Sequence, residues 1–519
     1  MRPVSVPILL SLVALPAELV GAIRLDLHGS PARSFHSKRG SITGSSTVGD
    51  ASNFQYTVDI TLGGAQFTAQ MDTGSSDLWV AGSVPNAQDT GKTVQVTYAG
   101  DTVDGPVQLA NLEFLGYSVP NQAYINQPTS GSFPRGTGRI GLGPTSGSQV
   151  LSGVGNSSGD PALERIFQQN TSTSNYLSFV LGRVGNPGED VTGQLTIGET
   201  LPEYSNVTSQ PKLDVSILSS DNSPNQHWQT LLDANGIIGP TGRSVNVETA
   251  VSGTSNKNQL TVVFDTGYSL PQVPAAVAEA FYSSVPNSKL VNEPQYGTIW
   301  QMPCDYEVNV TFKFGGLGYP VNPVDTVMDL NATDSSGNKI CYGAFQPISS
   351  SAQSSTYDMI FGTAFLRNVY VLVNFGDYVD GDTSNRAAPY LQLISTSNDT
   401  AQIHQDFVSL RGAAAWTPTY NGTQSSSSNS NTSSVTSWVK SHLGLVIGLS
   451  AGVGLILLGI ILACCTRGRR RRGSAPMGFM SGGQRYQPLH DPAPPQAYDL
   501  HLMNQGGAHG YGNPWDSHY

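Results

Sequence analysis

The sequence predicts an all-β protein of at least two globular units with appended segments, and three observations carry that prediction. The chain has 519 residues, more than one ordinary core accommodates. It contains 57 Gly and 32 Pro while only 12% of its residues are charged, a composition of many turns rather than of helical bundles. From about Asn53 to about Gly412, short runs of alternating apolar residues recur between clusters of Gly, Pro, Asn and Ser.

Those runs are Tyr56–Leu62, Phe67–Met71, Thr93–Tyr98, Leu177–Leu181, Leu260–Phe264, Val308–Phe314 and Val369–Phe375, each read as a strand. Helical candidates are few: Pro161–Gln169, Pro274–Ser284 and the stretch Ala364–Asn368.

The two ends read as targeting and anchoring segments. Residues 1–22 place Arg2 before a short apolar run and end in Val20-Gly21-Ala22, the pattern of a signal peptide. Residues 23–39 close on the dibasic Lys38-Arg39, which marks either the cut that frees a short propeptide or a surface basic pair. Residues 413–442 form a stalk dominated by Ser, Thr and Asn, without the apolar periodicity a core needs.

Residues 443–465 carry no charge over 23 positions, enough for a helix to cross the ~30 Å hydrocarbon core. Arg467, Arg469, Arg470, Arg471 and Arg472 follow at once and place that side in the cytosol. The expectation is a single-pass type I membrane protein of the plasma membrane, cell surface or vacuolar-endosomal membrane, with residues 466–519 as a disordered cytosolic tail. Gly444, Gly448, Gly452 and Gly454 are common in membrane helices, and a monomer is expected.

Cys464 and Cys465 sit at the cytosolic edge of the span, which leaves Cys304 and Cys341 to pair as one disulfide on the oxidising side. Sequons at Asn156, Asn170, Asn206, Asn309, Asn331, Asn398, Asn421 and Asn431 all lie on the outer side, as a glycoprotein of that topology requires. A net charge of −11, with most of the clustered arginines in the tail, argues against nucleic acid as a partner of the main body. No zinc or phosphate-loop pattern occurs, so neither metal nor cofactor is expected.

The sharpest local signal is Met71-Asp72-Thr73-Gly74-Ser75-Ser76-Asp77-Leu78-Trp79-Val80. It recurs in reduced form 193 residues later as Val263-Phe264-Asp265-Thr266-Gly267-Tyr268-Ser269. One Asp-Thr-Gly is an Asx-turn at a strand end. Two copies, each led by apolar residues, point to paired carboxylates: brought within a few ångströms they cannot both ionise, so one stays an acid while the other acts as a base.

On these residues the stretch from about Asn53 to Gly412 resembles the pepsin-like aspartic peptidases, with the fungal membrane-anchored secretory members closest in layout. The resemblance implies a bilobal fold, lobes at 40–211 and 212–412 facing across a cleft. It implies an aspartic endopeptidase that hydrolyses polypeptides at acidic pH through a water activated by Asp72 and Asp265, in a cleft favouring bulky apolar side chains. Thr73 and Thr266 would bond across the lobe junction, Gly74 and Gly267 complete the motifs, and Ser75 would bond the outer oxygen of Asp72. Tyr98 resembles the flap tyrosine and Trp79 the indole that hydrogen-bonds it. Gly138–Gly143 and Met359–Arg367 resemble the apolar-glycine segments beneath the aspartate loops, and Cys304 and Cys341 stand where the C-terminal lobe commonly has its disulfide.

The sequence also departs from that pattern. Tyr268 stands where a small hydroxyl residue is usual, leaving Ser269 or a water to serve the outer oxygen of Asp265. The flap tip reads Ala99-Gly100-Asp101, and only 26 residues separate Asp72 from Tyr98, fewer than in pepsin itself. Two rivals follow: a pepsin-like fold that has lost catalysis and acts as a surface binding or inhibitor protein, and a wall glycoprotein whose stalk is the functional part.

Overall fold

The computed structural model describes residues 43–51, 55–98, 102–183, 193–294, 296–348, 354–412 and 414–415. The expected signal peptide, propeptide with Lys38-Arg39, stalk, membrane span with Cys464 and Cys465, and tail lie outside these residues. So do the flap tip Ala99-Gly100-Asp101 and the sequons Asn421 and Asn431. Among the described residues no helix is long and apolar enough to cross a membrane.

The fold is β-rich and built in two halves. In the first, Gly63 (φ 59°) and Gly64 (φ 90°) form a two-residue turn of the left-handed kind that hairpin twist favours. It pairs Gln55–Leu62 antiparallel with Ala65–Asp72 in the register Leu62 to Ala65. Phe67, Ala69 and Met71 point alternately into the core, which delivers Asp72 at the strand's inner end. The strand Thr137–Gly141 lies parallel beside it, Gly141 opposite Asp72.

The second half repeats this device with a strand buried on both faces. Thr261–Phe264 runs parallel to Met359–Phe361, with Phe264 opposite Phe361, and hands the chain to Asp265. Around it Phe264, Phe312, Phe314, Phe345, Phe361 and Phe365 interlock, largely edge to face.

The halves meet in one thirteen-stranded sheet, where Tyr176–Val180 pairs antiparallel with Val369–Asn374. Buried ion pairs reinforce the seam. Asp325 binds Arg183 of the first half and Arg367 of the second, and Glu164 binds Arg386. Although burial opposes the charge on Asp325, the two guanidiniums hold its carboxyl below the usual range.

The seven expected strands coincide with observed strands, six of them with ends differing by at most two residues, while the one expected at Thr93–Tyr98 begins five residues earlier, at Gln88. The helical stretches appear as Ala162–Phe167, Ala275–Tyr282 and Thr363–Leu366. A helix at Thr400–Arg411 was not foreseen. Of the sequons, Asn156, Asn206 and Asn398 are exposed, and Asn170 and Asn309 are half-buried.

Cys304 and Cys341 form the expected disulfide, stapling the end of the strand Gly297–Pro303 to its antiparallel neighbour Lys339–Gly343. It closes a loop with a sequence separation of 37. Replacing both cysteines with Ala should therefore cost about 4 kcal/mol of unfolding free energy on the chain-entropy account, read as a lowered thermal midpoint.

Candidate active site

Asp72 and Asp265 face each other at the junction of the halves, 2% and 3% exposed. A Cβ built on Gly74 would lie 2.1 Å from Oδ2 of Asp265, and one on Gly267 would lie 2.4 Å from Oδ1 of Asp72. Each motif glycine is thus the floor against which the opposite carboxylate rests, and no larger residue fits either place.

Reciprocal threonines hold this approach. The Thr73 amide donates to Thr266 Oγ1 at 3.0 Å, and the Thr266 amide donates to Thr73 Oγ1 at 3.0 Å. The Thr73 hydroxyl donates to the Phe264 carbonyl at 2.9 Å, and that of Thr266 to the Met71 carbonyl at 2.8 Å. The glycine amides bind their own aspartates: Gly74 to Asp72 Oδ1 at 2.9 Å, Gly267 to Asp265 Oδ1 at 2.7 Å.

Beneath the loops the Leu142 amide donates to the Asp72 carbonyl at 2.7 Å, and the Asp265 amide to the Phe361 carbonyl at 3.0 Å. This is the supporting place expected of Gly138–Gly143 and Met359–Arg367.

The two carboxylates differ in their surroundings. Ser75 donates to Asp72 Oδ2 at 2.5 Å, as the motif implied. Arg139 also donates to that oxygen, at 2.9 Å. Asp265 has Tyr268 instead of a short hydroxyl neighbour, and the ring packs against Val263, Ile348, Tyr357 and Ile360. Burial, then the charge of Asp265, pushes the Tyr268 phenol up, so it stays neutral. The Ser269 carbonyl accepts from the Ala364 amide and the Thr363 hydroxyl, tying the second loop to the segment beneath it.

Burial pushes the Asp265 carboxyl well above the usual range, and the neighbouring Asp72 charge adds to the effect; the Gly267 amide and Arg139 oppose it. Carboxylates held this close resist ionising together, which favours a pair that shares one proton and one negative charge. Such a pair can bind a water between its oxygens, take a proton from it at one carboxylate and donate a proton from the other, with no covalent intermediate.

Tyr98 follows the strand Gln88–Thr97, and its ring packs on Arg139, which binds Asp72. The expected bond from Trp79 does not form: Trp79 Nε1 is buried without an acceptor and does not reach the Tyr98 hydroxyl, which faces Ser75. The cause lies in competing partners. Trp79 stands edge-on to Phe133 at 5.4 Å, while the Tyr98 ring lies 3.9 Å from the Arg139 guanidinium carbon, a cation–π contact.

The sequence reading passed over two residues of the site, Arg139 and His227. His227 faces the Gly74 backbone, and burial pushes its imidazole down to about 4 although Gly74 and Asp72 favour the cation. Its neighbour Trp228 donates from Nε1 to the Leu142 carbonyl at 2.8 Å, bracing the first aspartate loop from the second half.

Two β-rich halves, each supplying one buried aspartate to a shared pair, define a class of acid–base hydrolase, and the comparisons agree. The family profile described as eukaryotic aspartyl protease matches residues 83–379, more than half of the chain, beginning just after the Asp72 loop. The chain belongs to that family and is an aspartic-type endopeptidase, whose substrates are polypeptides.

Similar curated proteins come from fungi. The major aspartyl peptidase 1 of Cryptococcus neoformans is 27% identical over 66% of this chain and 72% of its own length. An aspartic protease of Phaffia rhodozyma is 27% identical over 72% of this chain and 89% of its own. A probable aspartic-type endopeptidase CTSD of Arthroderma benhamiae is 24% identical over 63% and 60%.

Two predictions follow from the geometry. Thr73→Val leaves the Thr266 amide and the Phe264 carbonyl buried without partners, so it should lower stability by about 2–5 kcal/mol in denaturant unfolding. Asp265→Asn imitates the protonated acid. Below about pH 4 Asp265 is protonated in both folded and unfolded chains and contributes nothing. Above that the unfolded chain releases the proton while the folded one retains it, a penalty that grows until pH passes the raised value. Asp265→Asn should therefore raise the thermal midpoint at pH 7 and leave it unchanged at pH 3.

Proposed function

We propose that Asp72 and Asp265 are the catalytic pair of this endopeptidase, tethered to a membrane with its catalytic part outside or lumenal. The observation that carries the catalytic assignment is the reciprocal seating of each carboxylate on the other motif's glycine. In this reading a water between the carboxylates attacks the scissile carbonyl carbon. Asp72 takes the water's proton, and the protonated Asp265 donates to the carbonyl oxygen as the tetrahedral species forms.

Ser75 and Gly74 orient Asp72, Gly267 orients Asp265, and Tyr98 closes over the substrate from the hairpin. No metal or other cofactor takes part in these steps.

Support for the tether comes from the chain's ends: an apolar leader at 1–22, a Ser/Thr-rich stalk at 413–442, an uncharged stretch at 443–465 and the arginines behind it. The proposed layout is a leader, a short propeptide to Lys38-Arg39, lobes at 40–211 and 212–412, stalk, span and cytosolic tail. A glycosylated monomer at the cell surface, or at a vacuolar-endosomal membrane, processing neighbouring surface proteins, fits that layout.

Asp72→Asn in the full-length chain, purified in detergent, should lower kcat/KM for an unfolded polypeptide at acidic pH by at least about a hundredfold. Undiminished cleavage would sink the catalytic assignment. The tether is tested by expressing the full chain beside one ending at residue 442. The first should stay with alkali-washed membranes and the second should appear in the medium, both shifting in mass on deglycosylation; the full chain in the soluble fraction would refute the span.

A further inference from the structure

A cation stands directly against the aspartate pair. Arg139 lies on the strand Thr137–Gly141, in parallel register with Gln70 two residues before Asp72, so its side chain emerges on the side of the Asp72 carboxylate. Nη1 donates to Asp72 Oδ2 at 2.9 Å and Nη2 to Gln70 Oε1 at 3.0 Å, while the guanidinium carbon lies over the Tyr98 ring, 3.9 Å from its centroid. The side chain is 15% exposed, so water screens the contact little.

The contact makes the pair unequal. Asp72 receives the Gly74 amide on one oxygen and both Ser75 and Arg139 on the other. Asp265 receives the Gly267 amide, and among the described residues it enters no ion pair.

We propose that Arg139 is a positioning residue for the reaction: it fixes the pair's single charge on Asp72, leaves the shared proton on Asp265, and sets the working range of the pair lower in pH. This rests on the reading of Asp72 and Asp265 as the catalytic pair. Each of the pair's two proton losses creates negative charge beside a guanidinium, so both steps are eased and both limbs of the activity profile move down together. An arginine beside a carboxylate typically produces an effect of about 1–3 pH units.

The other groups facing the pair do not supply this charge across the working range. Tyr98 and Tyr268 are neutral because burial pushes both phenols up. His227 is neutral above about pH 4. Asp77 is capped by Ser148, Gln149 and Val150 and carries no positive charge at any pH. Arginine keeps its charge at every pH the enzyme meets: burial works against that charge, and the Asp72 carboxylate beside it more than offsets the cost.

The test is the pH dependence of kcat and kcat/KM for the full-length chain in detergent, on a peptide without ionisable side chains. Arg139→Gln should move both limbs to higher pH by about one unit or more, in kcat as well as kcat/KM. Arg139→Lys, which keeps the charge without the fork, should move them less than half as far. A residue that merely packs under Tyr98 would lower amplitude and leave the limbs in place.

Limbs that superimpose on the wild type after scaling, or a Lys variant displaced as far as the Gln variant, would overturn the proposal. Arg139→Met, which keeps the apolar stem beneath the ring, gives the same readout where the Gln variant does not fold. Asp72→Asn in the same assay separates the two ideas: retained cleavage there defeats the catalytic pair itself, whereas lost cleavage with unmoved Arg139 limbs defeats only the role of Arg139.

Discussion

The structure depends on the exchange of hydrogen bonds between Thr73 and Thr266. Each hydroxyl accepts the other's amide and donates across the junction to the strand that carries the other aspartate. Four short bonds thereby cross-link two loops that lie 193 residues apart in sequence. Buried away from water, they are expensive to break one at a time, because each broken bond strands a donor or acceptor. The cost of crowding two carboxylates against Gly74 and Gly267 is met by this rigidity, and the parallel strands beneath the loops pass the constraint on to both cores.

Such crowding creates a chemical state that neither aspartate would have alone. Burial and the neighbouring charge keep the Asp265 carboxyl protonated where an ordinary aspartate would ionise. Donors on the other side are concentrated on Asp72. An approximately two-fold backbone thus carries side chains that break its symmetry, and general acid and general base become distinguishable through their neighbours.

How far the sequence revealed this can be judged from particular residues. The strand Ala65–Asp72 was legible because Phe67, Ala69 and Met71 alternate cleanly and a Gly-Gly turn precedes them. The helix Thr400–Arg411 was not, since only Ile403 and Phe407 face the core and no apolar stripe exists. Its caps were the available signal: Asp399 accepts the Ala401 and Gln402 amides, and Gly412 ends it with φ 80°. The hairpin of Thr102–Phe114 and Tyr117–Gln127 turns on Leu115 at φ 53°, a conformation no sequence rule assigns to leucine.

At the site the two Asp-Thr-Gly motifs were readable as local patterns, and the threonine exchange followed from the resemblance. Arg139 was visible only as the charged member of an apolar-glycine run. Its contact with Asp72, 67 residues away, exists because two strands pair in parallel with Gln70 opposite Arg139, a register that composition and spacing do not encode. The same guanidinium explains the failed expectation at Trp79. A tyrosine ring resting on a cation is held where its hydroxyl does not meet the indole, so one unforeseen side chain displaced a hydrogen bond that the motif had implied. Tyr268, which looked the more disruptive departure, turns its ring into an apolar cluster, and the Gly267 amide still binds Asp265. The strength of the site's asymmetry therefore comes from what was added beside Asp72 more than from what is missing beside Asp265.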